Sequence, residues 1–145
     1  ILNRMPRGVS LHLYDTWEGL PSDWTKARKE GSFSCGGVPP ELNDERAQIH
    51  QGLFVDTLAP GSNFSFVHID CDLYQSTKDV LSRLVFKEWD VVCFDEFFHP
   101  HGDERRAWEE FSESSDVDVC PVYADGERRM DAEAQAFVFR RGNDR

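Results

Sequence analysis

The chain has 145 residues, enough for one domain around a single core. Hydrophobic residues make up 39% and charged residues 30%, as in a soluble globular protein, and the formal net charge of −11 repels phosphate backbones and disfavours a nucleic-acid partner. A nucleotide-like small molecule in a local pocket stays open.

No run approaches the roughly 18 apolar residues of a membrane span, so no membrane partner is expected. Cys35, Cys71, Cys93 and Cys120 form no C-x-x-C pair, which leaves a zinc ribbon or disulfide framework poorly supported. Cys71 and Cys93 lie in apolar stretches and read as core thiols in a reducing, cytoplasmic setting. Ile1 to Met5 is too short for a signal peptide and lacks an initiator Met, so the sequence reads as a fragment or a processed product.

In chain order, Ile1 to Met5 reads as the last turn of a helix that Pro6 and Gly8 terminate. Val9, Leu11 and Leu13 alternate with Ser10, His12 and Tyr14, a strand pattern ending at Asp15. A loop with Trp17, Gly19, Pro21, Trp24, Gly36, Gly37, Pro39 and Pro40 follows. Pro40 to Gln48 predicts a short helix, and Gln48 to Phe54 a short strand leading to Asp56. After the turn at Gly61, Asn63 to Asp70 is nearly continuously apolar, which suits a strand buried on both faces of a parallel sheet. Ser76-Thr77-Lys78-Asp79 resembles a hydroxyl-capped helix start, with Val80, Leu81, Leu84 and Val85 as its apolar face. Trp89 to Asp95 predicts the next buried strand and Arg105 to Phe111 a helix. Val117 to Tyr123 and Ala136 to Phe139 predict a closing hairpin and an antiparallel edge. This order argues for an open α/β sheet, Rossmann-like and mostly parallel, with helices on both faces.

In a parallel β-α-β unit both strands point the same way, so Asp70 and Asp95 would emerge on one edge, where ligands bind in such sheets. Neighbouring strands lie roughly 4.8 Å apart, close enough for Asp70, Asp72, Asp95 and Glu96 to converge. If the extended chain continues, Asp70 and Asp72 share a side with His68 while Cys71 faces the core. Like carboxylates about 4 Å apart repel by about 4 kcal/mol at an effective dielectric of 20. Either a cation neutralises them or some keep their protons. Oxygen donors favour Mg²⁺, Mn²⁺ or Ca²⁺. The plainer alternative is that the acids cap loops and helix starts. His99 and His101 read first as a polar loop and second as ligands for a softer metal.

Phe66 to Thr77, with His68, Asp70, Asp72, Tyr74, Ser76 and Thr77, resembles the H-x-D-x-D-x-Y-x-S-T signature of macrocin O-methyltransferase-like enzymes, which are class I and depend on S-adenosylmethionine and a metal. Tyr14 to Pro21 is similar to the family's F-D-S/T-F-E-G-L-P. Gly52 to Leu58 resembles its G-x-F-x-D-T-L-P, and Phe94-Asp95-Glu96-Phe97 its D-D/E-Y/F. Gly102 to Ala107 resembles the G-x-x-x-A that opens a helix there. The resemblance implies Asp70, Asp95 and Glu96 as metal ligands for Mg²⁺ or Mn²⁺, and Asp72 as general base for the acceptor hydroxyl. It places Asp15 near the cofactor ribose and Gly52 and Asp56 near the adenine. The implied substrate is a small-molecule hydroxyl, such as a sugar of a glycosylated metabolite. Trp17 and Trp24 either wall that acceptor or pack under the long loop.

The family's earlier strand, glycine loop and helix, about 30 residues, have no counterpart here. Gly36-Gly37 neither follows a strand nor opens a helix. The fold is therefore expected to be a single, amino-terminally incomplete domain, with an apolar edge open to a second copy as a homodimer. Two rival readings remain. One is a non-catalytic remnant that binds a ligand or partner. The other is a phosphatase or phosphotransferase using Asp70-x-Asp72, which Leu73-Tyr74 and the lack of a partner Lys motif disfavour.

Overall fold

The computed structural model describes residues 4–115, 118–122 and 134–140. They form two compact units, residues 1–59 and 60–145, each with its own internal packing. The helical turn expected at Ile1 to Met5 falls largely outside the described residues, as does the polar link of the closing hairpin.

In the first unit, β1 (Leu11–Asp15) and β2 (Ala47–Gln51) pair in parallel, with Leu11 opposite Ala47 and Asp15 opposite Gln51. The helix expected over Pro40 to Gln48 does not form. Asp44 instead accepts the Arg46 amide (3.0 Å) in a turn that feeds β2. Two successive prolines and a side-chain acceptor that competes for backbone amides favour that turn. The expected strand over Gln48 to Phe54 is cut short at Gln51. Gly52 adopts φ 141°, a backbone that side-chain-bearing residues avoid, and α1 (Phe54–Thr57) follows.

The second unit carries a four-stranded sheet in the order β3 (Phe66–Ile69), β4 (Val91–Phe94), β6 (Gln135–Phe139), β5 (Val119–Val122). β3 and β4 are parallel, while β6 is antiparallel to both β4 and β5. Hence β3, β4 and β5 run one way and β6 runs back between β4 and β5, a mixed α/β sheet with parallel and antiparallel pairings. The returning strand sits inside the sheet, and β5 forms the edge.

Between β3 and β4 lies α2 (Tyr74–Leu81), and α3 (Asp103–Ser115) follows β4; the two helices pack against each other. α2 starts two residues before the expected Ser76, with Leu73 at its cap position and no side-chain cap. Thr77 lies inside it and bonds back to the Leu73 carbonyl (3.0 Å).

Alternation along β4 sends Val92 and Phe94 into the core, both 0% exposed. Phe94 meets Trp108 of α3 at 5.3 Å between ring centroids and Phe137 of β6 at 6.3 Å. Ile69 and Leu81 are buried in the same unit. β3 differs from expectation: Ile69 is buried, but Phe66 is 62% exposed and His68 is also exposed. It stands at the end of the strand order, so its outward-phase residues gain no cover within this unit.

Candidate active site

The register of the parallel pair decides where the acids meet. Ile69 lies opposite Phe94, and the Asp95 amide donates to the Ile69 carbonyl (3.0 Å). Asp70 and Asp95 therefore leave adjacent strands at the same level and on the same rim. Asp72 does not arrive there by continued extension. It takes φ 59°, the left-handed region, and the Leu73 amide closes on the Cys71 carbonyl around it. This turn ends the strand, swings the Asp72 side chain, and launches α2.

The four acids interact. Burial raises the Asp72 carboxyl above the ordinary carboxylate range; a side-chain hydrogen bond with Glu96 and the nearby His99 oppose this, and the Asp70 and Asp95 charges add to it. Asp70 and Asp95 are exposed, whereas Asp72 and Glu96 are half-buried. His68 Nε2 lies 3.9 Å from Asp95 Oδ1. His99 and His101 stack on each other at 5.3 Å, in the turn that follows Glu96. Among the described residues, no three His, Cys, Asp or Glu side chains stand arranged as an ion cage. What the rim gathers is a set of carboxylates, with the Asp70 and Asp95 charges felt at Asp72.

One carboxylate beneath this rim had no role in the motifs. Glu104, in the first turn of α3, is buried and accepts the Cys71 amide on Oε1 and the Glu96 amide on Oε2, both at 3.1 Å. Burial raises its pKa to about 7, against the pull of those two amides. The sequence held a signal for it: Glu104 falls on the same helical stripe as Ala107, Trp108 and Phe111, an acid on an apolar face. The Cys71 and Cys93 thiols are both pushed up by burial, and all four cysteines are free.

In the first unit, Asp15 and Gly52 meet at the carboxyl ends of β1 and β2, where the Gly52 amide donates to the Asp15 carbonyl (2.9 Å). Asp15 Oδ1 also takes the Trp17 amide (2.6 Å), which turns the chain from β1 into the long loop. The Asp15 carboxylate is otherwise exposed at that strand end. A Cβ on Gly52 would approach Thr57 Cγ2 to 3.0 Å, which makes the bare backbone there a tight cradle. Asp56 lies exposed on α1, with its own side chain in neither contact. Trp17 organises the long loop: its carbonyl accepts the Cys35 and Gly37 amides. Trp24 is half-buried in the same loop, its amide bonded to the Arg28 carbonyl.

No helix among the described residues is long and apolar enough to cross a membrane. A solved structure of CalS11, a calicheamicin methyltransferase, shares the fold with a TM-score of 0.66 at 17% identity, covering 89% of this chain and 60% of that one. The chain thus spans less than two thirds of that protein's length. No curated protein sequence matches it significantly. The family model of macrocin-O-methyltransferase (TylF) matches residues 39–125, a stretch that includes Gly52, Asp56 and all four rim acids but not Asp15. That match spans most of the chain and agrees with the fold, and with it the chain belongs to the macrocin-O-methyltransferase family.

Proposed function

We propose that the chain is the metal- and S-adenosylmethionine-dependent part of a cytoplasmic O-methyltransferase that acts on a small-molecule hydroxyl, such as one on a sugar of a glycosylated metabolite. The observation that carries this is the meeting of two acid pairs on one rim of an in-register parallel strand pair. Family membership supports methyl transfer as the reaction class. Asp70, Asp95 and Glu96 are the residues that would hold Mg²⁺ or Mn²⁺, and Asp15, Gly52 and Asp56 those that would face the methyl donor. When bound, the cation supplies Lewis acidity toward the acceptor oxygen and the sulfonium supplies the methyl group.

The chain's own contribution centres on Asp72. Burial gives its carboxylate a higher proton affinity than an ordinary aspartate, which suits a base that must take a hydroxyl proton at neutral pH. The Glu96 hydrogen bond orients it, and the turn at Asp72 fixes the direction of approach. Asp70, Asp95 and Glu96 would hold the cation that offsets charge developing on the reacting oxygen, so positioning and charge stabilisation would account for much of the rate.

Titration calorimetry of the chain with Mn²⁺, and with S-adenosylmethionine in its presence, tests the proposal. Uptake of both is expected. A failure to take up Mn²⁺ overturns the metal reading, and a failure to bind the donor overturns the methyl-transfer reading for this chain. With an acceptor in hand, D72N is expected to slow methyl transfer about 10²- to 10⁴-fold, the usual worth of a general base, while Mn²⁺ affinity changes little. Phosphate release from an aryl phosphate would instead favour the phosphotransferase reading.

A further inference from the structure

Glu104 is a buried carboxylate for which the chemistry above finds no use. It is 1% exposed, and both of its oxygens are spoken for: Oε1 by the Cys71 amide and Oε2 by the Glu96 amide, each at 3.1 Å. Cys71 is the residue between Asp70 and Asp72. Glu96 is itself one of the rim acids and follows Asp95 directly. A single side chain on α3 is thus bonded to the backbone of both acid-bearing loops. The β3–β4 ladder stops just short of them, at the Asp95 amide to Ile69 carbonyl bond. Beyond that point the two loops are joined side chain to side chain by the Asp72–Glu96 hydrogen bond, and backbone to backbone through the Glu104 carboxylate.

The anchor behind Glu104 is stiff. Ala107 and Trp108 lie on the same stripe of α3 and are buried, with Trp108 against Phe94 and Phe137. On the outer side, Glu110 of α3 takes the Tyr74 hydroxyl of α2 (2.6 Å), and Lys78 reaches the same oxygen (3.2 Å). Two carboxylate oxygens can each accept an amide at the same time. Glutamine offers one acceptor and would point an N–H at the other amide. Aspartate is a methylene shorter and cannot span both.

We propose that Glu104 is a positioning residue: its carboxylate clamps the Asp70–Asp72 loop to the Asp95–Glu96 loop and so sets the spacing of the acid pairs, without itself touching ion or substrate. The clamp stands on the geometry alone; its consequence for ion binding rests on the metal reading above.

Two measurements on E104Q separate these layers. Amide hydrogen exchange reads the clamp: Cys71 and Glu96 are expected to exchange about tenfold faster together, while β3 and β4 amides keep their protection. Unchanged exchange at either amide overturns the proposal. Mn²⁺ calorimetry, at a temperature where each variant is folded, reads the consequence. Affinity is expected to fall about 10- to 100-fold in E104Q, as for outer contacts of metal ligands. In F139L, a core variant chosen as the control for lost stability, it is expected to hold. Equal weakening in F139L, or none in E104Q, overturns the positioning role. If the wild type takes up no Mn²⁺ yet the two amides respond together, the metal reading fails and the clamp stands. Should E104Q not fold, the wild type still decides. Both amide nitrogens are then expected to show through-hydrogen-bond coupling to the Glu104 carboxyl carbon, and its absence in either overturns the clamp.

Discussion

At the scale of single residues, two titrating groups pull stability in opposite directions with pH. His50 stacks on Tyr14 (4.2 Å) and its Nε2 lies 3.0 Å from His12 Nδ1. Burial lowers its pKa below 6.5, and the neighbouring His12 adds to the shift. The folded chain then binds fewer protons at His50 than the unfolded one. The stability it contributes is present above pH 6.5 and is lost as pH falls through the lowered folded value. Glu104 is the reverse case. Its pKa rises from 4.5 to about 7, so the stability it contributes is present below pH 4.5 and is lost as pH climbs toward 7. Across pH 4.5 to 7.5 thermal melts of wild type therefore carry these opposed contributions together. H50Q should shift the balance so that the melting temperature falls more steeply with rising pH. A wild-type-like slope in H50Q would show that the His12–His50 pair does not carry the acid-side loss.

At the scale of elements, the strands of the second unit and α3 were legible because their patterns are strong. Val91 to Phe94 and Phe66 to Ile69 are short apolar runs rich in β-branched and aromatic residues, and Ala107, Trp108 and Phe111 repeat at helical spacing. Boundaries were less legible where local signals compete. Ser76-Thr77 looks like a cap, but a threonine hydroxyl can equally bond the carbonyl four residues back, and Thr77 does so. The left-handed turn at Asp72 had already started the helix, and a positive φ on an aspartate leaves no mark in a hydrophobic pattern. The common level of Asp70 and Asp95 was legible from the β-α-β order, whereas Asp72 turns out of the expected extended spacing and Glu104 was hidden inside a helix-opening motif. These elements also differ in what holds them. Thr77 is fully buried, but its hydroxyl shares the Leu73 carbonyl with the Thr77 amide. T77V therefore orphans nothing and is expected to cost at most about 1 kcal/mol. F94A removes a ring packed against Phe97, Trp108 and Phe137 and is expected to cost about 3–5 kcal/mol. Denaturant titration of both variants checks the order. A T77V penalty matching F94A would mean that the helix start, not the aromatic core, limits stability.

At the scale of the whole molecule, charge sets the background against which ion binding must be seen. The chain carries 27 acidic against 16 basic residues, so its folded state repels itself and any salt is expected to raise its melting temperature by screening. A specific cation does something different. It binds the folded rim and stabilises by mass action, by about 2.7 kcal/mol at a free concentration a hundred times the dissociation constant. For a chain of this length that corresponds to about 5–11 °C. Mn²⁺ is therefore expected to raise the melting temperature well beyond NaCl at matched ionic strength. The double variant D70N/D95N gives the sharper readout, because it acts with two signs. Without added ion it is expected to melt slightly higher than wild type, since removing like charges from the exposed rim relieves a solvent-screened repulsion of at most about 1 kcal/mol per pair. With Mn²⁺ it is expected to lose the ion-specific increment while keeping the screening response. A wild-type response to Mn²⁺ no larger than that to NaCl would place the chain's cation sensitivity in its overall charge, and the convergence of the rim acids would then need another explanation.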